Sequence, residues 1–219
     1  MVELDQAALL LDPEPLPLEM GIQRLESGQL HVAARTDMYR CKGKMLEWWF
    51  RFAPDTQQYA WWHPYDHVGS TWSETNPRTH IGSTHHAVEK IGGDEVLTIH
   101  INFQDPALTF GDDAVQQARE SGAVSALVCA HVGFGEDPPR DDAGRPAGAR
   151  LAHIARDTDW GMVLRSRFWL GVGAPEPVPD EVGLGLMRHA YTEFHYLSRF
   201  LPSLYLAENR DVERPPFPW

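Results

Sequence analysis

VGLGLMRHAYTEFHYLSRFLPSLYL, running from Val182 to Leu206, is the stretch whose reading decides the fold. Stepping along it at helical spacing gives Val182, Leu186, His189, Glu193, Tyr196 and Phe200, an apolar stripe interrupted by two polar residues one turn apart. Arg188, Thr192, His195 and Arg199 take the opposite side. The spacing predicts a long amphipathic helix whose buried face carries His189 and Glu193. A carboxylate on such a face is costly unless it meets a cation or a tight hydrogen bond. A His and a Glu at i,i+4 can be a plain hydrogen-bonded couple, and a divalent metal would satisfy the same two side chains.

Ahead of this helix the chain reads mainly as strands. QLHVAARTDMYR, residues 29–40, predicts a strand, and KMLEWWFRF after Gly43 a short helix. Trp48, Trp49 and Phe50 cannot share one helix face, so they reach a neighbouring subunit (a homodimer), a pocket wall, or a crowded core. YAWWHPYDHVGST, residues 59–71, reads as a strand that lines up Tyr59, Trp61, His63, Tyr65 and His67, with Pro64 marking an edge or a bulge. STHHAVEKIGGDEVLTIHINF predicts a hairpin bent near Gly92 and Gly93, with His85, Ala87 and Glu89 on one side of its first arm. A turn and a polar helix follow over 105–122. AVSALVCAHVGF is then a buried strand carrying His131, residues 135–150 are an exposed loop, and two strands flank a turn at Asp157 to Gly161, the first holding His153. Strands followed by one terminal helix argue an α+β fold, a curved antiparallel sheet gripping the C-terminal helix. The expected boundaries are an N-terminal arm over 1–24, one domain over 25–210 and a tail over 211–219.

Composition narrows the function classes. The formal charge of -12 on 219 residues argues against nucleic acid or an anionic membrane as partner. Cys41 and Cys129 are the only cysteines, which excludes a disulfide framework and a cysteine-rich zinc site and fits a reducing, cytoplasmic setting. No apolar run approaches the length of a membrane span. Eleven histidines make nitrogen and oxygen donors the natural metal ligands. Such a set suits zinc, iron(II) or manganese; beside His189 and Glu193 the candidates are His63, His67, His85, His86, Glu89, His131 and His153.

The segments MLEWWF, WHPYDH, HHAVEKIGG, RSRFWLG and HAYTEFHYLSRFLPSLY together resemble the 2,4-diacetylphloroglucinol hydrolase and phloretin hydrolase family over about Met45 to Tyr205. The resemblance implies a helix-grip fold like that of the Bet v 1 and START proteins. It also implies a zinc-dependent hydrolase that cleaves the carbon–carbon bond between an acyl group and a phloroglucinol-type ring. Carried over by motif, it makes His67, Glu89, His189 and Glu193 the zinc ligands. Tyr59 matches a tyrosine that holds a substrate hydroxyl, His131 matches a pocket histidine with His153 as its rival, and Ser70 stands where an Asn that binds substrate is expected.

In such a site a metal lowers the pKa of bound water and polarises an acyl carbonyl. The small-molecule substrate implied is an aromatic ketone whose ring hydroxyls let the leaving carbon depart as an enolate after protonation. Two other readings stay open on the residues alone: a helix-grip protein that binds a hydrophobic small molecule without catalysis, and a metal enzyme of different chemistry, such as an iron(II) oxygenase or another diketone hydrolase.

Overall fold

The computed structural model describes residues 2–211. Its centre is an eight-stranded, wholly antiparallel sheet in the order β1-β2-β8-β7-β6-β5-β4-β3. The strands are β1 (Gly21–Arg24), β2 (Leu30–Tyr39), β3 (His67–Ser73), β4 (Thr84–Lys90), β5 (Val96–Gln104), β6 (Ala126–Phe134), β7 (Ala149–Thr158) and β8 (Gly161–Leu170). Helices α1 (Gly43–Phe52) and α2 (Thr56–Trp62) join β2 to β3, and the short α3 (Ala107–Phe110) and α4 (Asp112–Glu120) join β5 to β6. Helix α5 (Asp180–Glu208) closes the chain and lies along the sheet. This is the helix-grip, α+β arrangement that the terminal amphipathic pattern predicts. Among the described residues no helix is long and apolar enough to cross a membrane.

The period of two along each strand sorts side chains onto two faces. Val128, Ala130 and Val132 of β6, Leu151 and Ala155 of β7, and Leu164, Phe168 and Leu170 of β8 point inward and pack with Leu186, Ala190, Phe194, Leu197 and Leu201 of α5. Leu127, Cys129, Ala152, Ile154 and Trp169 point outward and are covered by the N-terminal segment and by α3 and α4. That cover is pinned by charge. Arg165 and Arg167 of β8 are buried on the outer face and both pair with Glu19, while Arg165 also donates to the carbonyl oxygens of Asp12 and Glu14. The arm expected over 1–24 therefore lies on the sheet, and its last residues form the edge strand β1. The tail expected over 211–219 lies, apart from Asp211, outside the described residues.

The reading of residues 59–71 as one strand is corrected. Asp55 caps a helix by accepting from the Gln58 backbone N–H at 2.9 Å, and the Gln58 side chain accepts in turn from the Asp55 N–H at 2.9 Å. This reciprocal box starts α2, so Tyr59 and Trp61 are helical, and the strand begins only at His67. Trp61 and Tyr65 are accordingly exposed, and of the expected aromatic face only Tyr59, His63 and His67 turn inward. Trp48, Trp49 and Phe50 all prove to be core: Trp48 meets Tyr205 edge-on, Trp49 packs on Trp62 and Phe200, and Phe50 packs on Phe103 and His153.

Two details seat α5. Pro202 lacks an N–H, which frees the Ser198 carbonyl one turn earlier, and the Cys41 thiol lies 3.8 Å from that oxygen. At the other end, Gly185 meets Gly92 of the β4–β5 turn backbone to backbone, and a Cβ added at Gly185 would stand 2.8 Å from the Gly92 Cα. No rotamer relieves a clash with backbone. Gly185→Val is expected to lower stability by about 1–3 kcal/mol, the usual range for overpacking, read as a shifted urea midpoint at unchanged slope.

Candidate active site

Three segments converge inside the grip. His67 opens β3 and is the cross-strand partner of Glu89 in β4. The register slips between His67 and Gly69, a bulge that leaves Val68 outside and lets His67, Ser70 and Trp72 all face the helix. From α5, His189 and Glu193 point back at them. All four side chains are buried.

The hydrogen bonds assign the protons. His67 Nδ1 lies 2.9 Å from the Tyr59 carbonyl oxygen, which can only accept, so Nδ1 carries the hydrogen and Nε2 is left with a lone pair. That Nε2 is buried without any hydrogen-bond partner. It faces Glu89 Oε2 at 3.5 Å and Glu193 Oε2 at 3.7 Å. His189 donates from Nδ1 to Asp66 Oδ2 at 3.1 Å, which turns its Nε2 toward Glu89 Oε2 at 3.8 Å. The Nε2 atoms of two imidazoles and the carboxyl groups of two glutamates thus converge. One donor atom from each of His67, Glu89 and His189 lies within 4.8 Å of the others, a grouping that could hold a metal ion. The Tyr59 ring stacks on His67 with centroids 3.6 Å apart, and its hydroxyl donates to Glu89 Oε2.

Burial and charge set the protonation. Burial pushes the His67 imidazolium far below its ordinary range. For His189 burial works downward too, but the Glu89 carboxylate, the Asp66 hydrogen bond and Glu193 outweigh it and raise the pKa to about 9. Burial, with Glu89 and Asp66 adding to it against His189, raises Glu193 to about 8. Tyr59 is held well above its ordinary value by burial and by Glu89, so its hydroxyl keeps its proton.

Of the residues expected at a site, the fold brings together His67, Glu89, His189, Glu193 and Tyr59. His153 is on the inner face, but its polar contact is Ser166 Oγ at 3.0 Å and its ring sits against Phe194 and Phe50. His131 is on the outer face, between the inward-pointing Ala130 and Val132, and lies 3.6 Å from Asp141. Strand parity turns it away from the cluster, and β5 lies between its strand and β4. Ser70 is committed to the Pro54 carbonyl at 2.8 Å, with His85 Nε2 at 2.9 Å. Asp66 went unread in the sequence. It sits in the turn between α2 and β3, and besides His189 it contacts His63 Nε2 at 3.2 Å, with the His63 and His189 rings stacked 4.9 Å apart. Its signal was a carboxylate inside HPYDH, a segment already rich in possible ligands.

Fold and site together define a helix-grip protein with a buried cluster of imidazole and carboxylate groups walled by aromatic rings. The family model described as the DAPG hydrolase PhiG domain matches residues 2–206, and the chain belongs to that family. It is 28% identical over 227 residues to a 2,4-diacetylphloroglucinol hydrolase of Pseudomonas protegens (strain DSM 19095 / LMG 27888 / CFBP 6595 / CHA0), covering 90% of this chain and 70% of that one. It is also 28% identical over 217 residues to the phloretin hydrolase of Eubacterium ramulus, covering 88% and 73%. Among solved structures, Ara h 8.0201 aligns over 84% of this chain and 99% of its own with a TM-score of 0.47 at 10% identity.

The raised values of His189 and Glu193 fix how the metal-free protein responds to pH. Both groups hold protons in the folded state that the unfolded chain releases, Glu193 from pH 4.5 upward and His189 from 6.5 upward. Their contribution is full below those values and is lost as pH rises through about 8 and about 9. Thermal denaturation of chelator-treated protein is expected to show the midpoint falling between pH 6.5 and 9, with the fall flattened in His189→Ala.

Proposed function

We propose that this chain is a metal-dependent hydrolase that cleaves the carbon–carbon bond between an acyl group and a polyhydroxylated, phloroglucinol-type ring. The observation that carries the proposal is the orphaned His67 Nε2, buried and aimed at two carboxylates. A cation bound there would meet the lone pair that no hydrogen bond satisfies. The proposed ligands are His67, Glu89, His189 and Glu193, and zinc suits two imidazoles and two carboxylates better than the softer-ligand metals. Bound there, zinc would supply an activated water at neutral pH and polarisation of an acyl carbonyl. The names of the relatives support the substrate class, since both are hydrolases of acylated phloroglucinols.

The chain's own groups supply the rest. Hydrolysis places OH on the acyl carbon and H on the ring carbon it leaves. A bare aryl anion is too poor a leaving group, so the ring must first accept a proton at that carbon, which a hydroxylated ring can do as its keto tautomer. We assign the ring contact to Tyr59, whose hydroxyl hydrogen goes to Glu89 and whose oxygen can accept from a ring hydroxyl. Tyr59 also holds His67 through its carbonyl, and Asp66 holds His189, so each imidazole has its outer nitrogen fixed while the inner one stays free. Trp62 and Phe194 back the cluster and keep water from that side.

Zinc-loaded protein incubated with acetylated and longer-chain acylphloroglucinols should release the deacylated phenol and the carboxylic acid, in air and without oxygen alike. His189→Ala and Glu193→Ala should each reduce kcat/KM by at least about 10³-fold, and an acylbenzene without ring hydroxyls should not turn over. Product formation only in oxygen would favour an oxygenase on the same ligands. Asp66→Asn is expected to weaken zinc binding about 10–100-fold, measured by competition with a chromophoric chelator. Binding should also release protons, because the free cluster is protonated at His189 and Glu193 at pH 7. Calorimetry in buffers of different ionisation enthalpy reads that release directly.

A further inference from the structure

The turn from α2 into β3, His63-Pro64-Tyr65-Asp66-His67, brings two histidines and a carboxylate together within five residues. His67 belongs to the cluster itself, and Asp66 anchors His189. His63 is buried beside them and does neither. The backbone of the turn is closed by the His67 N–H, which donates to the His63 carbonyl at 3.0 Å, and by the Lys90 N–H of β4, which donates to the Asp66 carbonyl at 3.0 Å. These bonds fix where Asp66 stands but not where its side chain points. That side chain is 27% exposed, and a carboxylate at the edge of a buried site gains hydration by swinging outward.

The His63 ring opposes that swing. The Asp66 N–H donates to His63 Nδ1 at 3.1 Å, so Nδ1 carries the lone pair and the ring hydrogen is on Nε2. Nε2 stands 3.2 Å from Asp66 Oδ2, the same oxygen that accepts from His189 Nδ1 at 3.1 Å. The two rings are parallel, with planes 3° apart and centroids 4.9 Å apart. One carboxylate oxygen therefore faces nitrogens of two stacked imidazoles, one of which is a proposed metal ligand.

We propose that His63 is a positioning residue for the metal site: it holds the Asp66 carboxylate on His189, which keeps His189 Nε2 turned into the cluster. This rests on the metal-dependent reading of the cluster. One turn then sets both imidazoles, His67 through the Tyr59 carbonyl and His189 through Asp66, with His63 locking the second link. His63 is not itself a ligand, because a backbone N–H takes its Nδ1 lone pair and its Nε2 faces Asp66.

Zinc affinity, measured by competition with a chromophoric chelator, tests the role. His63→Phe keeps a flat ring against His189 and removes both nitrogens; it should weaken zinc about tenfold, the lower end of the usual effect of losing an outer partner. His63→Gln offers a carbonyl acceptor and an N–H donor on one planar group and should stay within about threefold of the unaltered protein. Because His63 acts through Asp66, adding His63→Phe to Asp66→Asn should weaken zinc by less than about twofold more. Effects that multiply in the double variant, an unchanged affinity in His63→Phe, or a second zinc equivalent that His63→Phe abolishes would each overturn the proposal, the last by making His63 a ligand. A readout without metal separates the proposal from the metal reading. In chelator-treated protein the His189 Nδ1–H should give a slowly exchanging imidazole proton resonance that broadens in His63→Phe and persists in His63→Gln. If the unaltered protein binds no zinc, the metal reading fails and this resonance decides the positioning role alone: broadening in His63→Phe supports it, and an unchanged resonance overturns it.

Discussion

The lone pair on His67 Nε2 is the feature on which the rest of this structure depends. It is buried, it accepts no hydrogen bond, and two carboxyl groups face it. Acceptors held face to face in a low-dielectric interior repel one another, and a protein relieves this either with protons or with a cation. The free chain uses protons, on His189 and Glu193. The Tyr59 carbonyl and the Asp66 carboxylate hold the two imidazoles so that the inner nitrogens cannot turn away.

Holding four such groups in register demands a stiff frame. The helix-grip arrangement supplies it by drawing these groups from elements packed on one another: two adjacent strands paired at His67 and Glu89, and a helix whose Gly185 meets Gly92 backbone to backbone. The aromatic packing of Trp49, Trp62, Phe50 and Phe194 fills one end of the space beneath the helix, and the Arg165, Arg167 and Glu19 pairs fasten the cover on the far face of the sheet. The end left open is the apolar one.

Much of this was legible in the chain itself because it rests on local periodicity. The stripe from Val182 to Phe200, the alternation that puts His85, Ala87 and Glu89 on one side of a hairpin arm, and the turn at Gly92 and Gly93 all reappear in the fold. Where reading by period failed, the cause is specific. Residues 59–71 alternate like a strand, but the capping box of Asp55 and Gln58 lies just upstream and starts a helix instead. His131 lies in a strand as expected, yet a period of two gives it the opposite face from its neighbours, and only the pairing of β6 with β5 and β7 settles which face that is.

The sequence by itself determined that a buried helix face carries a histidine and a glutamate in need of a partner, and that imidazole and carboxylate groups are the donors available. Only the tertiary structure decided which of them meet. His189 and Asp66 are 123 residues apart, and His67 and Glu193 come from opposite sides of the grip. Contacts of that kind follow from how sheet and helix close on each other, a long-range packing outcome that no local spacing encodes. The apolar cleft at the start of α5 is of the same kind: Val182 and Phe134 read as core in the chain, yet in the fold they line its mouth 43% and 40% exposed.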